Sequence, residues 1–181
     1  MNLIGMIRED VRAKARWLYG SDATASVLKA WCTDGTAAMF WYRLMQWAQS
    51  HRLGLLAMLC NKVNAICCRC IIGRGAQFGE RFVLVHSAGV VINAAVRGGS
   101  GIHLEHQVTI GAEKGEAPVL GDGVFVGAGA RIIGTVKVGD RARVGANAVV
   151  VRDVPADCTA VGVPAEVKQR GEVVVSDVQS C

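Results

Sequence analysis

The sequence predicts a molecule in two parts, a short all-helical N-terminal region followed by a β-solenoid of stacked six-residue units. Three observations predict it. Composition switches near residue 71, with all 4 Trp and both Tyr before it and a regular beat of Val, Ile, Ala and Gly after it. Apolar residues and glycines then recur every six positions over most of the remaining chain. Finally, 181 residues with 51% hydrophobic content and only 3 Pro exclude disordered, collagen-like and proline-rich classes.

In chain order, helices are expected over about residues 6–19, 23–33, 37–50 and 53–68. Asp22 and Asp34 stand where N-caps belong, and Gly35 and Gly54 punctuate the run. Trp31, Phe40, Trp41, Leu44 and Trp47 read as core. The stretch Leu53–Ile72 contains Asn61, Lys62, Asn64 and Arg69, so it is too polar to span a bilayer. It reads as a buried amphipathic helix, with peripheral contact to an inner membrane as the other reading.

From Ile72 the units are IGRGAQ, FGERFV, LVHSAG, two extra residues (Val90, Val91), INAAVR, GGSGIH, LEHQVT and a partial IGA. After a loop at residues 113–119 come LGDGVF, VGAGAR, IIGTVK, VGDRAR, VGANAV and VVRDVP. Position one is apolar in every unit except at Gly98, and position five is Ala, Val, Ile or Phe throughout. A helix would repeat at 3.6 and an ordinary strand at two; six fits neither. One unit cannot bury its own apolar side, so the units must stack. The expected parts are a helical domain at 1–71, a solenoid at 72–168 and a weakly patterned tail at 169–181.

Several functions are excluded early. The net charge is +5 with a pI near 9.0, but no basic stripe exists, so a nucleic-acid partner is not expected. No signal peptide is visible, because Arg8, Glu9 and Asp10 interrupt the N-terminus at once. The 7 Cys, with Cys67, Cys68 and Cys70 bunched, show no separated ligand pairs. They read as reduced, buried small hydrophobes of a cytoplasmic protein, and no metal is expected.

If every third unit shares a face, LVHSAG, LEHQVT, VGAGAR and VGANAV form one column. Their third positions are His86, His106, Ala128 and Ala146. Stacked coils stand about 4.8 Å apart, so two imidazoles would sit side by side above an alanine track. That suits a reaction in which a hydroxyl proton must be taken, with histidine as the base and glycine-rich backbone N–H groups for a developing oxyanion. His86 is the stronger catalytic candidate and His106 the second; His51 and His103 have no such support.

The repeat resembles the hexapeptide-repeat transferases, whose fold is a left-handed parallel β-helix. Within them, VLVHSAGVVIN, HLEHQVTIG, VFVGAGARIIG, AVGVPAEV and the helix around Tyr42, Arg43 and Trp47 look like the serine O-acetyltransferase branch. The resemblance implies acetyl-CoA as cosubstrate and His86 as the essential histidine. It also implies a CoA groove at Gly111, Ala112, Ala128, Ala142 and Arg143, an acceptor pocket bordered by the loop 113–119, and assembly as a homotrimer or a hexamer of trimers.

Three departures stand out. The branch carries Asp just before the histidine, where this chain has Val85. It carries Arg-His before the loop proline, where Glu116 and Ala117 precede Pro118. It carries an acidic residue at the first coil, where Ile71 stands. An Arg fork suits serine's carboxylate and Glu116 would repel it. The segments HSAGVVIN and EHQVTIG resemble the colanic-acid-type acetyltransferases of exopolysaccharide and capsule biosynthesis still more closely. The expected function is therefore acetyl transfer to a sugar hydroxyl, with serine O-acetylation in cysteine biosynthesis as the alternative.

Overall fold

The computed structural model describes residues 2–169. Apart from Gln169, the tail expected at 169–181 lies outside the described residues. Four helices come first: α1 (Leu3–Tyr19), α2 (Thr24–Trp31), α3 (Thr36–Ser50) and α4 (Gly54–Cys67). The Asn2 side chain caps α1 by accepting from the Ile4 N–H at 3.1 Å. Gly20, at φ 67°, ends it in a left-handed turn.

The two Asp residues expected as caps do other work. The N-cap of α2 is Ala23 and that of α3 is Gly35, neither with a side-chain cap bond. Asp22 instead accepts from Arg16, and Asp34 faces the solenoid.

Strands, numbered in chain order, form three parallel faces. The first face stacks β1 (Ile71–Ile72), β4 (Val91–Ile92), β7 (Thr109–Gly111), β10 (Arg131–Ile133) and β13 (Val149–Val150). The second stacks β2 (Gln77–Phe78), β5 (Arg97–Gly98), β8 (Val119–Leu120) and β11 (Lys137–Val138). The third stacks β3 (Val83–Leu84), β6 (His103–Leu104), β9 (Phe125–Val126), β12 (Arg143–Val144) and β14 (Cys158–Val161). An antiparallel strand, β15 (Glu166–Gln169), closes that face. The expected solenoid is therefore observed.

Positions one and five supply its core: Ile72, Leu84, Ile92, Leu104, Val108, Ile110, Val124, Val126, Ala130 and Ile132 are all buried. Gly98, the exception at position one, has a packing reason. A methyl group there would overlap the Phe78 ring of the coil below. Phe78 fills that space, stacked on Phe82 at 4.5 Å between centroids.

The register differs from the simple repeat at two corners. Ile71 pairs with Val91, but Val91 pairs with Thr109 and Thr109 with Arg131. The coils are thus unequal. The first is widened by two residues within 85–89 rather than at Val90 and Val91. Val90 is the buried fifth-position residue, whereas Ala88, expected in that role, is exposed. At the other end Val154, expected at position five, pairs with the first-position residue Val138. The loop at 113–119 is a small hairpin, with Glu113 and Glu116 exchanging backbone hydrogen bonds at 2.8 and 2.9 Å.

The helices are latched onto the first coil by buried polar contacts. The Arg43 guanidinium, 1% exposed, donates to Asp10 at 2.6 and 3.0 Å and to the Phe78 and Gly79 carbonyls. Burial pushes the Asp10 carboxyl up, opposed by Arg43. The Tyr42 hydroxyl donates to the Ala76 carbonyl and accepts from the Phe78 N–H.

The buried stripe of α3 is Met39, Tyr42, Arg43 and Met45, while Phe40, Trp41, Leu44 and Trp47 are only half-buried and Trp31 is exposed. Nor is α4 a buried helix, since Leu55, Leu59 and Ile66 are exposed. Its inner face packs on α3 through Ala57, Cys60 and Asn64. No helix among the described residues is long and apolar enough to cross a membrane. Cys60 and Cys70 are buried as expected, but Cys32 and Cys67 are exposed.

Candidate active site

The two histidines meet, although not through strict periodicity. The column of third-position residues is Ala88, His106, Ala128 and Ala146, linked by Gln107 N–H to Ala88 O, Gly129 N–H to His106 O and Asn147 N–H to Ala128 O. His86 lies in the widened corner just before Ala88. Its ring stands edge-on to His106 with centroids 5.9 Å apart. An open cleft of about 520 Å³ runs between them, lined by Asp34, Arg69, His86, Ala88, Gly89, His106 and Gln107.

Asp34 is the residue that sequence reasoning missed. Its Oδ2 lies 3.2 Å from His86 Nδ1, while Oδ1 accepts from the Gly35 N–H and the Ser87 hydroxyl. Burial alone would raise this carboxyl, but the hydrogen bonds from His86, Gly35 and Ser87 outweigh it and hold it below its ordinary value. An ionised carboxylate on Nδ1 favours the tautomer with its proton there. Nε2, which has no partner among the described residues, is then left as the basic nitrogen.

The neighbours explain why the carboxylate comes from the residue just before the cap of α3. Val85, where the branch would carry Asp, is buried against Ala13 of α1 and Val83. Gly35, at φ 83°, lets α3 begin hard against β3, where any methyl group would overlap the Leu84 carbonyl oxygen. Lys14 donates its ammonium to the Asp34 carbonyl oxygen.

Burial pulls the Lys14 ammonium down to about 8, with Asp34 only partly offsetting it. The unfolded chain then holds more protons than the folded one between about pH 8 and the ordinary lysine value. Stability from this group must therefore rise with pH across that window, by at most about 3 kcal/mol. In urea titrations the wild type should gain stability from pH 8 to 10 relative to Lys14→Met. Parallel profiles for the two proteins would refute the shift.

The residues implied to hold CoA do not all converge. Ala128 adjoins His106 at the corner that carries the two histidines. Gly111 is the last residue of β7 and Ala112 follows it, at the end away from His106, where the Gly134 N–H donates to the Gly111 carbonyl. Arg143 is on the third face, its guanidinium 4.4 Å from the Phe125 ring centroid. Ala142 is fully buried, which corrects the expectation of a groove contact, because its methyl group points into the core. Glu116 and Ala117 do not line the histidine cleft.

His51 and His103 are structural. Nδ1 of each lies on a backbone carbonyl oxygen, Trp47 and Gly101 respectively, and His103 stacks on Trp17 at 4.6 Å. A larger cavity of about 590 Å³ between the helices and the first coils includes Arg43, Trp47 and Phe78 but neither His86 nor His106.

Comparison with known proteins follows this geometry. Residues 117–152 match the family model "Bacterial transferase hexapeptide (six repeats)". The serine acetyltransferase of Mycobacterium tuberculosis is 33% identical over 169 residues, covering 91% of this chain and 73% of that protein. The chain belongs to the serine acetyltransferase family.

The crystal structure of the Neisseria gonorrhoeae serine acetyltransferase superposes with a TM-score of 0.84 at 29% identity. It covers 93% of this chain, which spans 65% of the gonococcal one. A serine acetyltransferase solved as a complex with CoA has a TM-score of 0.84 at 26% identity, over 92% of this chain and 69% of that one. This chain is thus a hexapeptide-repeat acyltransferase. The expected closer kinship with colanic-acid-type enzymes finds no support among these relatives.

Proposed function

We propose that this acyltransferase moves the acetyl group of acetyl-CoA onto the hydroxyl of L-serine, with His86 as general base and Asp34 as the group that orients it. The observation that carries the reading is the Asp34–His86 contact in a family of serine acetyltransferases. Nε2 of His86 takes the serine hydroxyl proton as Oγ attacks the thioester carbonyl carbon. The tetrahedral oxyanion collapses, the C–S bond breaks, and the thiolate of CoA recovers the proton from the imidazolium. Asp34 stabilises that imidazolium without accepting its proton.

The thioester needs a narrow, smooth approach. The small residues Ala128 and Ala146 supply one beside His106, and their backbone N–H groups have no acceptor among the described residues. They are suited to the amides of the pantetheine arm or to the oxyanion. His106 stands within reach of the same cleft and is assigned to holding the acceptor. Assembly as a trimer, which light scattering would report as a mass near three chains, is part of the same proposal.

One observation favours a sugar hydroxyl as a second reading. Glu116 and Ala117 occupy the loop positions where an Arg-His pair would meet serine's carboxylate. Product mass spectrometry after incubation with acetyl-CoA and L-serine separates the two. O-acetylserine is expected. Acetyl-CoA binding with no serine product would overturn the serine assignment and leave the sugar reading standing.

A further inference from the structure

Among the described residues, the catalytic cleft contains one unpaired cation that neither the repeat nor the family pattern brings to notice. Arg69 follows α4 and is exposed at φ 50°. Its carbonyl oxygen accepts from the Gly89 N–H at 2.9 Å, which ties the end of α4 to the widened corner that carries His86. It lines the cleft together with His86 and His106. It also lines the adjoining recess of about 230 Å³ formed by Asp34, Cys67, Cys68 and Ser87.

The charges around the cleft are unequal in their engagement. Asp34 is occupied by His86, Gly35 and Ser87. The Arg69 guanidinium makes no hydrogen bond or ion pair among the described residues. Among the described residues it is the only Arg or Lys lining the cleft. A planar fork of donors beside the base is suited to a carboxylate, which it can hold in two parallel hydrogen bonds.

We infer that Arg69 is a specificity-determining residue that binds the carboxylate of the acceptor, in place of the arginine missing from the loop at Glu116. This rests on the serine reading above. The same backbone that holds Arg69 in the left-handed region suits Gln or Lys equally, so those variants change the head group alone.

The test is steady-state kinetics on the full chain with L-serine and with L-serinamide, whose neutral amide cannot form the charged pair. Arg69→Gln should raise KM for L-serine roughly 10–100-fold with little change in kcat. KM for acetyl-CoA should not move, and Arg69→Lys should recover part of the loss. The wild type should prefer serine to serinamide, and Arg69→Gln should erase that preference. If the wild type acetylates serine but Arg69→Gln leaves KM and the preference unchanged, the Arg69 assignment is overturned and the serine reading survives. If the wild type makes no O-acetylserine, the serine reading fails and takes the carboxylate assignment with it.

Discussion

His86→Ala lowers the rate of acetyl transfer by roughly 100–10,000-fold, the usual contribution of a positioned general base. The fold should not suffer. The His86 side chain is 53% exposed and its only polar partner among the described residues is Asp34. Circular dichroism and acetyl-CoA binding are the controls. A variant that keeps activity within tenfold of wild type would remove His86 from the base role.

Asp34→Asn sharpens this result. The amide keeps the shape of the contact with Nδ1 but loses the charge that stabilises the imidazolium, so kcat should fall roughly 10–1,000-fold. Because Asp34 acts through His86, the double variant should be no slower than His86→Ala alone. Additive losses would mean that Asp34 touches the substrate independently.

Arg43→Ala carries the largest expected effect on stability. Truncation leaves the Asp10 carboxylate, 1% exposed, with only the backbone N–H groups of Phe82, at 3.0 Å, and Arg81 to hold it; it strips the Gly79 carbonyl of its donor and leaves the Phe78 carbonyl only the longer Gln46 contact at 3.4 Å. Breaking a buried pair from one side costs about 3–5 kcal/mol. Urea unfolding should show that loss as a lower midpoint. Replacing both partners by apolar residues of similar volume, Arg43→Met with Asp10→Leu, should recover much of it, because no charge is then left unpaired. A loss below about 1 kcal/mol for the single variant would show that water reaches Asp10 and that the latch is not closed.

The solenoid was legible because its physics is local and repeated. Ile72, Leu104, Val126 and their counterparts must be apolar at a fixed spacing, or the stack has no core. The pairing of His86 with His106 was also legible, but for an incomplete reason. The column belongs to Ala88, His106, Ala128 and Ala146, and His86 reaches His106 because two extra residues widen its corner. Those residues were visible as a break in the period. Their placement was not, because Val85, Ala88 and Val90 are all apolar and the pattern cannot say which of them points inward.

The helical half was less legible. Four helices were expected and four are present, with ends shifted by a few residues. Aromatic bulk on α3 pointed to Phe40, Trp41 and Trp47 as core, yet the fully buried residues are Met39, Tyr42 and Met45, with Trp41 and Trp47 only partly buried against the same core. A helix of any composition presents several faces, and only its partner decides which one is buried.

Sequence alone determined the repeat and the two histidines on it, because these are written in spacing along the chain, and the resemblance of its motifs pointed to the acyltransferase class. Tertiary structure alone decided what lies beside His86. Asp34 reads locally as a helix cap 52 positions upstream of that histidine, Lys14 as one charge among many on α1, and Arg69 as a polar break in an apolar run. They become a carboxylate on His86, a buried ammonium and a guanidinium in the histidine cleft only when α1, α3 and α4 dock against the first coil. Contacts between segments so distant in sequence leave no periodic mark, because no local rule relates them.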